Sequence, residues 1–190
     1  MDALFGLLGQ VIESILSVIP RMVIVRATHR GIKWVMGAQA KAVEPGITVY
    51  WPLVTDMEVQ VVARQTADIP NQVLTTQDRK QVVVGSFLVF GINDIVQALG
   101  ERNWDVESTV RDITQGAIVE EITKRTLDEL LNGVAGGRDS EFHIELTENC
   151  RKQLRQFGVY VHRAGITDCA VCKVHKILGS EVSTRWNEGE

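Results

Sequence analysis

The chain has 190 residues, 45% of them hydrophobic and 23% charged, with a net charge of −4. That length can bury a sizeable apolar core without staples, and the composition excludes wholesale disorder. No basic cluster is denser than the scatter from Arg21 to Lys33, which excludes a strong nucleic-acid footprint, and the three cysteines, Cys150, Cys169 and Cys172, form no even framework, which points to a reducing compartment, best the cytosol.

The first twenty residues, "MDALFGLLGQVIESILSVIP", need an apolar neighbour. A cleaved signal peptide would carry a basic start, and this one carries Asp2 and no Lys or Arg. A spanning helix is also a poor fit, because Ala3 to Ile19 gives about 26 Å of helix against roughly 30 Å of hydrocarbon, and Glu13 interrupts it. On a helical wheel Leu4, Phe5, Leu7, Leu8, Val11, Ile12, Ile15, Leu16, Val18 and Ile19 fall within one arc, and Asp2, Gly6, Gly9, Gln10, Glu13, Ser14 and Ser17 fill the rest. The spacing predicts an amphipathic helix over 1–20, ended by Pro20. Its stripe can be covered by the protein's own core or by lipid. The polar face lacks the Lys and Arg usual on interfacial helices, whereas Arg21, Arg26, Arg30 and Lys33 follow directly, where cations gain near an anionic leaflet.

"RMVIVRATHRGIKWVMG" predicts two strands around a turn at His29 to Gly31, as a hairpin. A Pro45-Gly46 turn, a strand over 47–51, a break at Pro52 and an alternating strand over 57–62 follow. A short extended piece is expected before Pro70, then a polar turn near 77–79 and a long strand over 80–92. Apolar residues occupy both faces of that strand, Val83, Phe87 and Val89 against Val82, Val84, Leu88 and Phe90, so it should be central and covered on both sides.

Helical spacing then takes over, with a short turn over 93–99 and one long helix from about Asn103 through Leu131. "NGVAGGR" ends it, and Asp139 or Ser140 caps a further helix with Phe142, Leu146, Cys150, Leu154 and Phe157 on one face. Gly158 closes that helix, "VYVHRAGITDCAVC" returns as a strand, and a final weak helix is expected over 173–185.

Several phrases in this order carry a resemblance: "VEPGITVYWPLVTDMEVQVVARQTADIPNQVLTTQDRKQVVVGSFLVFGI", then "VRDITQGAIVEEITKRTLDELL", then "FGVYVHRAGITDC". Together they resemble the stomatin, prohibitin and flotillin superfamily, the SPFH or band 7 domain, over about residues 21 to 170. The resemblance implies an α+β fold with four parts: a membrane-anchoring helix over 1–20, a small β-rich subdomain over 21–65, a larger sheet-and-helix subdomain over 66–170, and a C-terminal helix or tail over 171–190. It also implies attachment at the cytoplasmic face of a membrane, with Leu4, Phe5, Leu7, Leu8, Val11, Ile12, Ile15, Leu16, Val18, Ile19 and Arg21 as the membrane-binding residues. The expected partners are the lipid bilayer, further copies of the chain in a ring or cage, and a membrane protein such as a protease or channel. The alternative is a regulatory module that docks on such a partner without closing a ring. The tail lacks the sustained heptads of the long coiled coil usual after this domain, so the resemblance is to a short form.

No catalytic residue, cofactor or metal is expected. Cys169-Ala-Val-Cys172 with His175 has zinc-ligand spacing, but a fourth ligand would have to come from Cys150 or His162, and free structural cysteines are the simpler reading. "GVAGGR" follows a helix and lacks the Lys-Ser/Thr of a phosphate loop, and neither G-x-S-x-G nor HExxH occurs. Trp51 is expected in the β-rich core, while Trp34 could lie in the core or at headgroups.

Overall fold

The computed structural model describes residues 19–100 and 105–172. Five short strands come first: β1 (Arg21–Val25), β2 (His29–Val35), β3 (Gln39–Val43), β4 (Gly46–Tyr50) and β5 (Thr55–Val61). They form a two-stranded ribbon of β1 and β4 and a three-stranded sheet in the order β3-β2-β5. The expected hairpin of β1 with β2 is therefore not formed. Its turn falls earlier, at Arg26–Thr28, and the Thr28 carbonyl accepts from Val62 N at 3.0 Å, so the turn fastens the end of β5 and sends β2 into another sheet. The true hairpin partner of β2 is β3, through Met36 and Gly37 at φ 53° and 71°, the left-handed conformation that suits tight hairpins. Strand β3 is absent from the sequence expectation because "QAKAV" has little intrinsic strand preference, and its place comes from packing, with Ala40 set against the core.

The second sheet is antiparallel, β6 (Gln65–Thr75), β7 (Gln81–Ile92) and β8 (Val159–Val171), with β7 in the centre. β6 runs through Pro70, where the register with β7 shifts between Ile69 and Gln72; an edge strand with a bulge tolerates the missing N–H. In β7, Val82, Val84, Leu88 and Phe90 are buried, but Val83, Phe87 and Val89 are only half-buried. The expectation that both faces of this strand are covered by other elements is corrected for that second face. There Phe87 is sheltered by side chains, with the Arg163 guanidinium 5.3 Å above its ring, and Gly165 leaves room for it, since a Cβ would sit 2.8 Å from the ring.

Four helices are described: α1 (Ile95–Leu99), α2 (Val106–Thr123), α3 (Leu127–Ala135) and α4 (Glu141–Leu154). The single long helix expected from Asn103 to Leu131 is two, broken at Lys124–Thr126. The Thr126 side chain accepts from Glu129 N while the Glu129 carboxylate accepts from Thr126 N, a capping box that starts α3 afresh. Asp78, in the β6–β7 turn, adds a second acceptor for the new helix start, at 3.2 Å from Leu127 N. Ser140 caps α4, and Phe142, Leu146, Cys150 and Leu154 are buried at their helical spacing. Gly158 follows at φ 68°, its backbone pressed so close to the Asp94 carbonyl that a Cβ would lie 2.4 Å from it.

One core joins these elements. Ile32 of β2 belongs to the same buried cluster as β7, β8 and all four helices, reached through Ile95, Ala98 and Leu99 of α1. α4 also lays a polar row along the outer edge of β8. His143 Nε2 accepts from Ile166 N at 3.3 Å, Thr147 Oγ1 accepts from Ala164 N at 3.1 Å and donates to Ala164 O, and the Arg151 guanidinium donates to Val161 O at 3.3 Å. Spacing of four residues puts these side chains on one line, and they satisfy edge groups that would otherwise be open.

Candidate functional site

In the β1–β4 ribbon, Met22 lies opposite Val49 and Ile24 opposite Ile47. Directly paired residues project to the same face, and residues two apart share it, so these four make one apolar surface. Met22 is 68% exposed, Ile24 72%, Ile47 68% and Val49 51%. Such a concentration differs from the single exposed apolar residues common on soluble surfaces. Trp51 continues the alternation of Ile47 and Val49 and is 54% exposed, so its expected place in the core is corrected. Leu53 and Val54 follow in the chain, also exposed, and Met36 N donates to Val54 O at 2.8 Å, which brings the exposed Met36 to the same corner. Trp34 is half-buried and packed against the core.

The ribbon begins two residues after Ile19, itself exposed. Of the residues expected to bind membrane, Ile19 and Arg21 are described, both on the surface, with Arg21 paired to Tyr50 at the open end of the ribbon. Leu4, Phe5, Leu7, Leu8, Val11, Ile12, Ile15, Leu16 and Val18 lie outside the described residues. The four cations expected near a leaflet do not share one surface. Arg21 and Arg26 bracket β1, whereas Arg30 and Lys33 stand an odd number of positions apart on β2 and so leave opposite faces of it. Arg30 also pairs with Glu44 at 3.4 Å, and Lys33 lies opposite Lys41. The exposed apolar face itself was missed by sequence reasoning. The signal was that "MVIV" and "ITVYW" are apolar on both faces, more than a two-stranded ribbon can hide.

Among the described residues no cluster of His, Cys, Asp and Glu is arranged to hold a metal, and no helix is long and apolar enough to cross a membrane. His175 and the final helix expected over 173–185 lie outside those residues. Cys150 is a buried thiol pushed up to about 12 by burial and by the Glu121 charge, and Cys169 is raised by burial and by Asp168. Neither shift favours the thiolate that attacks or ligates.

The "TTQDRK" turn is structural. Asp78 accepts from Thr76 Oγ1 at 2.5 Å and from Leu127 N, and pairs with Lys80 Nζ at 3.0 Å, bonds that hold its carboxyl down at about 2. Gln77 N also donates to Arg125 O at 2.8 Å. This turn thus locks the β6–β7 hairpin onto the junction of α2 and α3. Behind it, the buried Glu121 carboxylate takes Lys124 at 3.0 Å and Asn149 Nδ2 at 2.9 Å, and Arg125 joins Glu121 to Glu145 while lying over the Phe142 ring. These groups tie the end of α2 and the α2–α3 junction to α4.

The fold is that of a domain whose first strands carry the exposed apolar surface and whose helices serve packing. The sequence profile described as SPFH domain / Band 7 family matches residues 23–175, and the chain belongs to that family. Members are generally membrane-associated scaffolds and generally not enzymes. An uncharacterized protein of the archaeon Archaeoglobus fulgidus is 24% identical over 161 residues, 85% of this chain and 62% of the relative. The match thus spans less than two thirds of that relative's length.

Proposed function

We propose that the chain is a non-enzymatic scaffold on the cytoplasmic face of a membrane, which assembles with copies of itself into a ring or cage and there organises the bilayer or a membrane protein such as a protease or channel. In this reading residues 1–20 are the anchor, 21–65 the subdomain nearest the lipid, 66–170 the body and 171–190 the tail. The observation that carries it is the exposed apolar face of Met22, Ile24, Ile47 and Val49, whose first strand follows residues 1–20 directly in the chain. Four such side chains, each worth ~1.5–3 kcal/mol when fully covered, leave roughly 4–8 kcal/mol to be gained by whatever covers their exposed portions. Lipid fits because the same chain segment leads into it from a stripe that demands the same phase.

The test is flotation with liposomes of the full chain, of a chain lacking residues 1–20, and of that truncation carrying Ile24→Thr and Ile47→Thr. Binding should fall sharply with the truncation and vanish with the combination. A doubly altered chain that still floats would overturn the membrane reading. Electron microscopy of full-length protein in mild detergent checks assembly, and monodisperse single copies would overturn the scaffold.

A further inference from the structure

A cleft of about 470 Å³ opens where α1 meets the end of α4 and the first residues of β8. Gly158 lines it, its backbone packed so tightly on α1 that a side chain there would meet the Asp94 carbonyl and Gln97. Its walls carry Asn93, Gln97, Arg151, Arg155 and Tyr160, with Asp94 at one side. The cleft belongs to neither the apolar ribbon nor the packing network around Glu121.

The bonds of the wall residues are unevenly spent. Arg151 is committed: Nη1 donates to Glu148 at 2.7 Å, Nε and Nη2 donate to Val161 O at 3.3 Å, and the guanidinium lies 5.6 Å from the centre of the Tyr160 ring. Asp94 is half spent, since its Oδ1 caps α1 by accepting from Val96 N at 2.9 Å and Gln97 N at 3.2 Å. Arg155 is exposed, and among the described residues its guanidinium has no hydrogen-bond or ion-pair partner. Nor do the side-chain amides of Asn93 and Gln97, or the Tyr160 hydroxyl, bond to another described residue. Beyond the rim His162, 4.8 Å from Tyr160 between ring centres, is held below its usual range by burial, then by the Arg64 and Arg151 cations.

A guanidinium offers five N–H groups in a planar fork that matches an oxyanion two bonds at a time. Two amides and a phenol add neutral groups that donate and also accept, and Asp94 adds a half-used carboxylate; the N–H and O–H donors still outnumber the acceptor oxygens, and the one unpaired charge on the walls is the Arg155 cation. Donors in excess of acceptors select a ligand with oxygens in excess. The volume lies within the ~300–1,000 Å³ typical of small-molecule sites, more than a bare inorganic ion fills. We propose that this cleft binds a phosphomonoester carrying a small organic body, with Arg155 as the principal anion ligand, Asn93, Gln97 and Tyr160 as further donors, and the Tyr160–Arg151 stack as the wall for the body. The monoester can be a soluble metabolite or the headgroup of a lipid such as a phosphatidic acid.

Two arms distinguish these sources. In the first, the isotopically labelled full chain in zwitterionic detergent is titrated with glycerol 3-phosphate and followed by amide NMR. A soluble ligand gives saturable shifts at Asn93, Gln97 and Gly158 that weaken at least tenfold in Arg155→Gln and are partly restored in Arg155→Lys. In the second, flotation compares phosphatidylcholine vesicles containing phosphatidic acid with vesicles of equal surface charge made with phosphatidylserine. A lipid ligand gives a preference for phosphatidic acid that Arg155→Gln removes. Arg155 holds no other described side chain, so an unchanged melting temperature certifies the variant as folded. The proposal is overturned if the parent chain shows neither effect, or if Arg155→Gln behaves as the parent in both arms.

Discussion

Replacing Ile24 and Ile47 together by threonine isolates the ribbon's apolar face from every other feature. Threonine keeps the branched Cβ that suits a strand. Each change removes two carbons at ~0.8 kcal/mol apiece and adds a hydroxyl that costs about 0.5–2 kcal/mol to dehydrate. Scaled by the 72% and 68% of these residues that is open to solvent, the pair should weaken transfer to a bilayer by roughly 3–5 kcal/mol, which at 1.4 kcal/mol per decade is at least about a hundredfold. Because neither residue is enclosed by the fold, urea unfolding should change by only about 0.5 kcal/mol per site. The assay is the partition of the full chain onto liposomes over a range of lipid concentration, paired with urea denaturation. A partition coefficient within threefold of the parent would refute the reasoning. So would a loss of more than about 2 kcal/mol of stability, which would mean that these side chains are covered by the protein itself.

Four further outcomes follow from other groups in the fold. Gly158→Ala should cost roughly 2–4 kcal/mol in urea denaturation, the sum of a left-handed backbone imposed on alanine and a Cβ driven 2.4 Å from the Asp94 carbonyl. His143 is held below its usual range mainly by burial, and then by Arg163, against an opposing hydrogen bond to the Gly137 backbone. Its folded form resists the proton that the unfolded chain accepts near pH 6.5. Its contribution should thus be complete above that pH and be lost as pH falls below it; urea midpoints at pH 7.5 and 5 should differ less in His143→Gln than in the parent. Asp78 acts at lower pH with the same direction, its contribution present above the ordinary carboxylate value of 3.8 and lost as pH falls toward about 2, so Asp78→Asn should flatten the acid limb of the stability profile. Cys150, with its thiol at about 12 and enclosed, should resist a thiol reagent at pH 8 until the protein unfolds, whereas Cys172 should label in the native state; mass spectrometry of the peptides reads both.

The sequence showed more of the elements than of their partners. The stripe of α4 was legible because Phe142, Leu146, Cys150 and Leu154 repeat at a spacing that one helix face alone explains. The break between α2 and α3 was also written locally, in Thr126 and Glu129, but the continuous apolar spacing on both sides of "KRT" outweighed it. Strand partners are different in kind. β1 pairs with β4 and not with β2, and the turn between β1 and β2 is fastened by Val62 N, which lies far along the chain. The apolar face of the ribbon emerged only with that pairing, since Met22 and Ile24 become a surface when Val49 and Ile47 stand beside them. The Arg155 cleft had no local sign at all, because its walls come from two chain segments, 93–97 and 151–160, that lie far apart in the sequence.

The row of His143, Thr147 and Arg151 along β8 bears on how copies of this domain can meet. A bare strand margin invites a neighbour to extend the sheet, without limit if the geometry repeats. Here a helix has already taken those hydrogen-bonding positions from Val161 to Ile166. Neighbours are thereby steered away from open-ended strand addition on that side and toward contacts between side-chain surfaces, which close or stop according to shape.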